Sequence, residues 1–312
     1  MKFILTFLLI CFTLSSWALS EDAGTTGFAF FKLAFSPRAA ALGYAFAGVA
    51  NDPEAVFYNP AGLYQLKEKQ ISAVYMSYLE DINCGAVIYS HPRSDNANTT
   101  FYARFLTTEE TRTESDEQGN YLGTNGTFGA SDLELGAAYA HHFSSTLNVG
   151  ATAKFIYESL DSNSALAFAC DFGLYHITTN PKLHFGLVLR NVGIQLSSFT
   201  SSNYDEHLPV TADLGFGYRA NSKLLLAADI YRPLNSDFYG RFGIEYTFHQ
   251  MLQLRLGYKT DATDWKKGAD GDALAGFSGG FALNWQKYIL NYAFLSYGDL
   301  GLVNQISLTY NF

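Results

Sequence analysis

The chain of 312 residues has few charges and few prolines, and past its N-terminus it has no long hydrophobic run. Asp, Glu, Lys and Arg make up only 16% of it and 48% is hydrophobic. A chain this apolar buries enough surface to fold, which excludes intrinsic disorder. No later stretch approaches the roughly 20 consecutive apolar residues of a spanning helix, which excludes a helical membrane protein. The net charge of −9 argues against nucleic acid as a partner.

Aromatic residues and glycine are plentiful instead. Phe (26), Tyr (21) and Trp (3) make up 16% of the chain, and 27 glycines stand against 7 prolines. Aromatic side chains are enriched in strands, and glycine is frequent in turns. The composition therefore predicts a large, aromatic-rich β protein.

The first 20 residues have the features of a secretory signal. Lys2 supplies the positive n-region and residues 3–14 an apolar h-region, and small residues at 18 and 20 predict cleavage before Glu21. Cys11 follows the bulky Ile10, which argues against lipid attachment there.

Two cysteines remain after cleavage, Cys84 and Cys170. Both lie in apolar runs, which is typical of buried thiols, and a disulfide between them stays open in an oxidising compartment. Neither has the neighbouring His or Cys spacing of a metal site.

Alternation of polar and apolar residues is the strongest pattern in the chain. It runs through the last residues to Phe312 and recurs at 147–155, 210–219, 241–248 and 252–259. Successive side chains of a strand point to opposite faces, so each segment has one apolar and one polar surface. No helical period fits these segments as well.

Three observations favour a membrane barrel over a soluble sandwich. The apolar faces run for about nine to eleven residues, the length of a tilted strand crossing a bilayer. Aromatic residues cluster near strand ends, where membrane-interface girdles lie. They are Tyr218, Phe248, Tyr258, Tyr297 and Phe312.

The third observation is that the polar faces carry charges of both signs, which is expected of a water-filled lumen inside a wall covered by outer-membrane lipid. We predict that these charges face the lumen: Glu134, Lys154, Asp171, Arg190, Asp213, Arg219, Asp229, Arg241, Glu245, Arg255 and Lys259. Their mixed sign indicates ion pairs that hold the interior together rather than a selective ring of one sign.

Fourteen strands are predicted, an even number as in single-chain bacterial barrels. They span 70–79, 82–91, 99–107, 132–143, 146–157, 165–176, 182–194, 209–220, 222–231, 239–248, 251–260, 273–284, 286–297 and 303–312. Short turns alternate with longer polar segments at 108–131, 195–208 and 261–272, which we place outside the cell. Two connections fit poorly: 91–98 is long for a periplasmic turn, and the one at 80–81 is short for an external loop.

Residues 24–66 lack strand alternation. Asp52 followed by Pro53 predicts the start of a short helix, and Asn59-Pro60 predicts its end. We therefore divide the chain into a signal peptide (1–20), a partly helical hatch (21–66) that plugs the lumen, and a barrel (67–312). The alternative to a plug is a periplasmic appendage.

These segments resemble the PorV/PorQ family of outer-membrane proteins, which are relatives of the FadL-type channels. The resemblance rests on residues 36–43 and 51–63 (NDPEAVFYNPAGL), and on 128–133, 160–173, 274–280 and 288–294, which look closest to the PorQ branch. It implies an all-β, 14-stranded antiparallel FadL-like barrel with an N-terminal hatch, in the bacterial outer membrane. The hatch motif would comprise Arg38, Gly43, Asp52, Asn59, Pro60 and Gly62. It also implies a non-enzymatic role linked to type IX protein secretion.

Three patterns that suggest chemistry have structural interpretations. Residues 276–280 match G-x-S-x-G, but they lie in a predicted strand with no helix after it, so we expect the small residues to ease curvature or pack on the hatch. His141 and His142 point to opposite faces of a strand and cannot share an ion. Residues 270–272 (Asp-Gly-Asp) lack the other ligands of a calcium loop. The sequence therefore predicts no enzyme, no cofactor and no metal, and we expect Arg38 to pair with an inward carboxylate.

Two functions remain open. The first is secretion or surface attachment, with the extracellular loops as working surface; the partners would be the barrel-assembly machinery and surface or secretion proteins. The alternative is FadL-like transport of hydrophobic small molecules, which needs an apolar pocket inside the barrel. The charged lumen argues against such a pocket, although residues near the hatch are suited to line one. They are Phe28, Phe30, Phe31 and Phe35.

Overall fold

The computed structural model describes residues 27–33, 35–79, 82–199, 207–265 and 270–312. The predicted signal peptide at 1–20, the connection at 80–81 and parts of the segments 195–208 and 261–272 lie outside these residues. No helix in the described ranges has the length and apolar character needed to cross a bilayer.

Fourteen antiparallel strands close into one barrel, in which each strand pairs with its neighbours along the chain. They are β1 (Gln70–Ser77), β2 (Asn83–Ser94), β3 (Ala97–Ser115), β4 (Tyr121–His142), β5 (Leu147–Leu160), β6 (Asn163–Ile177), β7 (Leu183–Ser197), β8 (Thr211–Arg219), β9 (Leu224–Pro233), β10 (Tyr239–His249), β11 (Leu252–Lys259), β12 (Phe277–Trp285), β13 (Tyr288–Ser296) and β14 (Leu302–Asn311). The predicted fold class and strand number are confirmed.

The barrel closes where β1 meets β14. Gln70 pairs with Asn311 and Ser77 with Asn304, so the two ends of the barrel sequence form one continuous ladder. The backbone N–H of Phe312 donates to the Lys69 carbonyl at 3.0 Å. Closure satisfies the backbone groups that an open edge would expose to lipid.

The two faces of the wall reverse the pattern of a soluble protein. Leu256 is 67% exposed on the outside, whereas its neighbour Arg255 is 3% exposed on the inside. Such an apolar exterior requires lipid around it. The predicted lumen charges Lys154, Asp171, Arg190, Asp213, Arg241, Glu245 and Arg255 are all largely buried on the inner face. Arg219 is an exception, since it is exposed at the strand end.

The segment 108–131 is a continuation of two strands, and its assignment as a loop was wrong. β2 pairs with β3 only as far as Asn83 opposite Thr107, and β4 pairs with β5 only from Ala130. β3 and β4 remain paired beyond these points as far as Ser115 opposite Tyr121. Residues 108–129 therefore form a two-stranded ribbon beyond the barrel rim. Both faces of the ribbon are wet, so the apolar alternation that marks the wall is missing there.

The connection at 91–98 is a tight turn rather than a long one. β2 continues to Ser94 and β3 begins at Ala97. Pro92 lies at the end of the ladder beside a register shift, where a missing N–H donor is tolerated. The turn therefore has the length expected on the periplasmic side.

In its described residues, 27–33 and 35–66, the hatch has one short helix and three 3₁₀ turns. The helix α1 (Pro37–Ala41) is capped by Ser36, and the turns span Ala29–Lys32, Pro53–Phe57 and Pro60–Gln65. The predicted cap is present, since the Asp52 carboxylate accepts from the Ala55 N–H at 3.1 Å. Asn59 ends one turn and caps the next.

The hatch lies inside the barrel and touches opposite walls. Helix α1 contacts β11 to β14, the turn Pro53–Phe57 contacts β1 and β2, and the turn Pro60–Gln65 contacts β3 to β6. This placement is that of a plug and differs from that of a periplasmic appendage.

Candidate functional site

The hatch approaches the wall most closely where the wall carries glycine. A Cβ added to Gly257 of the wall would lie 2.0 Å from the Gly43 nitrogen of the hatch. Within the hatch itself, one added to Gly62 would lie 1.9 Å from the Ala50 carbonyl oxygen. Gly43 has a φ of +63°, which disfavours any other residue. The wall glycines that contact the hatch in this way are Gly150, Gly173, Gly186, Gly215, Gly217, Gly243, Gly257 and Gly280.

Asn59 joins the two halves of the hatch to the wall. Its side-chain N–H donates to the carbonyls of Ala47 (2.8 Å) and Leu174 (3.0 Å), and its Oδ1 accepts from the Ala61 N–H. Pro60 follows as the first residue of a turn, where its missing donor costs nothing.

Arg38 forms the main ionic link between hatch and wall. Its Nε and Nη2 donate to both oxygens of Glu245 at 2.9 and 3.1 Å, and its Nη1 donates to Asn51 and Asp52. Glu245 accepts a further bond from Arg255 at 2.8 Å. A bidentate pair of this kind fixes both distance and orientation.

Glu54 connects the hatch to the seam of the barrel. Its carboxylate accepts from the hydroxyls of Ser36 (2.7 Å) and of Ser72 on β1 (3.0 Å). Burial raises the pKa of Glu54 to about 7, with a smaller contribution from the negative charge of Asp52. No cation forms an ion pair with Glu54 in the part of the chain that the structure describes.

A cavity of about 380 Å³ lies above the hatch, at the end of the barrel opposite the short turns. Residues that follow β1, β9, β11 and β13 line it, which places it on the extracellular side. Rings from the hatch and the wall surround it: Phe31, Tyr44, Tyr58, Tyr78, Tyr231, Tyr239 and Tyr297. Its volume falls within the range of small-molecule sites, roughly 300–1,000 Å³.

Cations stand among these rings. The guanidinium of Arg241 lies 3.6 Å from the ring centre of Tyr231, and the Lys259 ammonium lies 5.2 Å from that of Tyr44. Asp213, behind the lining, accepts from Arg190 at 2.5 Å and contacts Arg241 at 3.5 Å. Stacking on an aromatic face holds a cation in place without neutralising it.

Two hydroxyls of the lining have no hydrogen-bond partner among the described residues. They belong to Tyr58 in the hatch and Thr211 at the start of β8, and each of these residues is 3% exposed. The Nε atoms of Arg190 and Arg241 also lack a partner within those ranges. Buried donors left unsatisfied are costly, so a site that keeps them is suited to a ligand that accepts hydrogen bonds.

The predicted lumen charges divide among three places. Arg190 and Arg241 line the cavity, and Glu245 pairs both with Arg38 of the hatch and with Arg255 of the wall. Lys154 and Asp171 do not line the cavity; Lys154 donates to Asp171 at 2.8 Å and packs against the lining residue Phe31.

The four phenylalanines near the hatch contribute little to the cavity, since only Phe31 lines it. Phe30 and Phe35 pack under the Arg104 guanidinium at 4.8 and 5.1 Å. The expectation that all four line a pocket was wrong. Phe28 is likewise buried, at 2% exposed.

Sequence reasoning missed most of the tyrosines of this site. Tyr297 was predicted in the outer girdle, but it lines the cavity. Tyr231 and Tyr239 share the parity of the buried Asp229 and Arg241, a signal that would have placed them inward.

The remaining candidates have structural roles. Ser278 of the G-x-S-x-G match accepts from the Gly43 N–H at 3.2 Å, which is hatch packing. His142 contacts Asn148 at the end of β4, and Cys84 and Cys170 are free. In the described ranges no three His, Cys, Asp or Glu side chains are grouped to hold a metal ion.

Comparison with known proteins relates the chain to outer-membrane barrels. No protein-family model matches it. It is 24% identical over 213 residues, 62% of its length, to a "UPF0164 protein" of Treponema pallidum (strain Nichols), and spans about half (48%) of that protein.

Three solved structures share the fold at low identity. The P. putida toluene transporter TodX has a TM-score of 0.62 at 13% identity, covering 89% of this chain and 98% of its own. The Ralstonia pickettii toluene transporter TbuX has a TM-score of 0.60 at 14% identity, with the same coverage. A Pseudomonas aeruginosa FadL homologue has a TM-score of 0.54 at 13% identity, covering 88% and 98%.

The fold is therefore that of the FadL-type barrels, with fourteen strands closed around an N-terminal hatch. With its apolar exterior, the chain is a bacterial outer-membrane β-barrel. Two of these neighbours are described as toluene transporters. The finer resemblance to PorV/PorQ finds no support in these comparisons.

Proposed function

We propose that this protein is an uptake channel that admits small, partly hydrophobic organic molecules through the outer membrane. The observation that carries the proposal is the cavity above the hatch, which is walled by aromatic rings and reached from the extracellular side. The neighbours described as toluene transporters support it, because they share the fold of this barrel.

A molecule in this cavity has the hatch below it and the wall beside it. The wall is irregular at that point: the pairing of β6 with β7 shifts register between Cys170 and Phe172, and Asn191 has a φ of +62°. Asn191 itself lines the cavity. We place the exit route at this irregularity, because the hatch is tied down by Arg38 and Asn59.

The test is uptake by bacterial cells that express the full chain and lack another hydrocarbon channel. Asn235→Trp should fill the cavity that it lines and lower uptake of labelled toluene or naphthoate at least tenfold. The matched control is Leu234→Trp, since Leu234 does not line the cavity and is 57% exposed. Equal uptake by both variants and by cells without the protein would contradict the proposal.

The ribbon favours surface attachment as a second candidate function. It carries five carboxylates against one arginine, and each of its strands has an edge without a partner strand among the described residues. Free edges of this kind pair with extended segments of other proteins. Crosslinking in intact membranes, with and without residues 110–127, tests this role; recovery of the same proteins from both chains would exclude it.

A further inference from the structure

We infer that the cavity binds an organic anion, an aromatic carboxylate, with its carboxylate held by Tyr58, Arg190, Thr211 and Arg241. The inference rests on the proposed function in taking this cavity as the ligand site. It adds the charge and the shape of the ligand, which neither the fold nor the neighbours determine.

The charges of the lining favour an anion. Lys32, Arg190, Arg241 and Lys259 line the cavity against one carboxylate, Asp261. The Asp261 Oδ1 lies 3.5 Å from the Lys259 Nζ, and among the described residues both arginines pair with the same carboxylate, Asp213. The next carboxylate of this wall, Asp229, accepts the N–H groups of Phe46 and Ala47. Among the described ion pairs the two guanidinium groups therefore share one carboxylate, and Asp229, which lies opposite Arg241 on the neighbouring strand, forms no ion pair with it.

The hydrogen-bonding capacity of the site is that of a donor cluster. The hydroxyls of Tyr58 and Thr211 and the Nε atoms of both arginines have no acceptor among the described residues. A carboxylate supplies two oxygens with several lone-pair positions and accepts from arginine and hydroxyl donors together. A neutral hydrocarbon would leave these donors unsatisfied, and a cation would be repelled.

The aromatic rings of the lining indicate which group the carboxylate of the ligand is attached to. Tyr44, Tyr231 and Tyr297 line the cavity, with Arg241 on the ring of Tyr231 and Lys259 near the other two rings. Aromatic groups pack on one another in offset or edge-to-face geometry, which an alkyl chain cannot reproduce. An aromatic acid therefore satisfies both the donors and the walls.

The direct test is titration of the purified full chain in detergent with 2-naphthoate, its methyl ester and decanoate. We expect naphthoate to bind at least tenfold more tightly than the ester, because charge-assisted hydrogen bonds are lost in the ester. Equal binding of the ester, or no binding of naphthoate, would overturn the inference. Decanoate binding as tightly as naphthoate would overturn the aromatic part of it.

Tyr58→Phe is the sharpest variant, because it keeps the ring and removes only a hydroxyl that has no partner among the described residues. We expect naphthoate affinity to fall about tenfold, ester affinity to stay the same, and thermal stability to stay or rise. Thr211→Val should act in the same direction. The matched control is Tyr175→Phe, since the Tyr175 hydroxyl bonds His184 away from the cavity. Unchanged naphthoate affinity in both cavity variants would refute the assignment of the carboxylate site.

Measurements of both binding and uptake distinguish a failure of this inference from a failure of the proposed function. Selective binding of naphthoate without its uptake would refute the channel and support the anion site. Uptake of toluene without binding of naphthoate would support the channel and refute the anion site.

Discussion

Two ion pairs of the same kind lie in opposite surroundings. In the lumen, Arg104 donates to Glu134 at 2.6 Å, and the two side chains are 3% and 0% exposed. At the ribbon, Arg112 donates to Asp161 at 2.9 Å, and both side chains are 49% exposed. The hydrogen bonds are similar, but only the lumen pair has lost its water. The difference teaches that buried ion pairs of the lumen hold this molecule together, whereas an exposed ion pair of the ribbon contributes little because water solvates both partners.

Arg104→Ala should have the largest effect. It leaves Glu134 as a buried charge without its arginine and removes the guanidinium on which Phe30, Phe35 and Phe57 pack. We expect a loss of about 3–5 kcal/mol, measured by urea unfolding in detergent or lipid. Glu134→Gln, which removes one charge and keeps the shape, is the companion variant. A loss as small as that of a surface pair would contradict the comparison.

Glu54 should make the attachment of the hatch depend on pH. Its pKa is raised by burial to about 7 from the usual 4.5, so the folded hatch holds the proton more tightly than the free segment. The stabilisation is complete below pH 4.5 and is lost as the pH rises through 7, by up to about 3 kcal/mol.

Protease cleavage within the hatch, followed between pH 5 and 8, measures this effect. Cleavage should become faster as the pH rises, and Glu54→Gln should remove the dependence. The reverse trend in the wild-type chain would show that the charged form is the one that binds.

Gly257→Ala should loosen the hatch, whereas Gly129→Ala should do nothing. The new Cβ at 257 would lie 2.0 Å from the Gly43 nitrogen, but at 129 the nearest atom is the Thr108 carbonyl oxygen at 3.4 Å. We expect a loss of about 1–3 kcal/mol for the lumen variant and increased ion conductance in planar bilayers. Equal conductance of the two variants would show that the hatch does not seal through this contact.

Arg112→Ala should have the smallest effect. An exposed pair contributes about 0.2–1 kcal/mol, and salt screens it. The urea midpoint should therefore move little at low salt and not at all at high salt. A shift as large as that of Arg104→Ala would mean that the ribbon is covered in its native setting.

The fold was predictable because every strand of a barrel wall alternates apolar residues facing lipid with polar residues facing the lumen. Leu254, Arg255 and Leu256 already show in sequence which side meets lipid. The Asp52 cap was predictable for the same reason, since its partner is three residues away.

The ribbon and the cavity were not predictable in this way. In the ribbon, Thr111 and Arg112 point to opposite faces and both meet water. Polar and apolar residues therefore do not alternate there, and the strand cannot be recognised from its sequence. The cavity joins Tyr58, Thr211 and Tyr297, which lie far apart in the chain, and a local pattern does not show which of them meet.

The order of residues has a consequence for biogenesis. The hatch precedes every strand, yet its helix docks on β11 to β14 and its last turn on β3 to β6. The two surfaces face each other across one closed lumen only after the final strand has joined the first, so the plug gains its full set of contacts at the last step of assembly. Protection of the N-terminal segment from protease is therefore a measure of whether the barrel has closed.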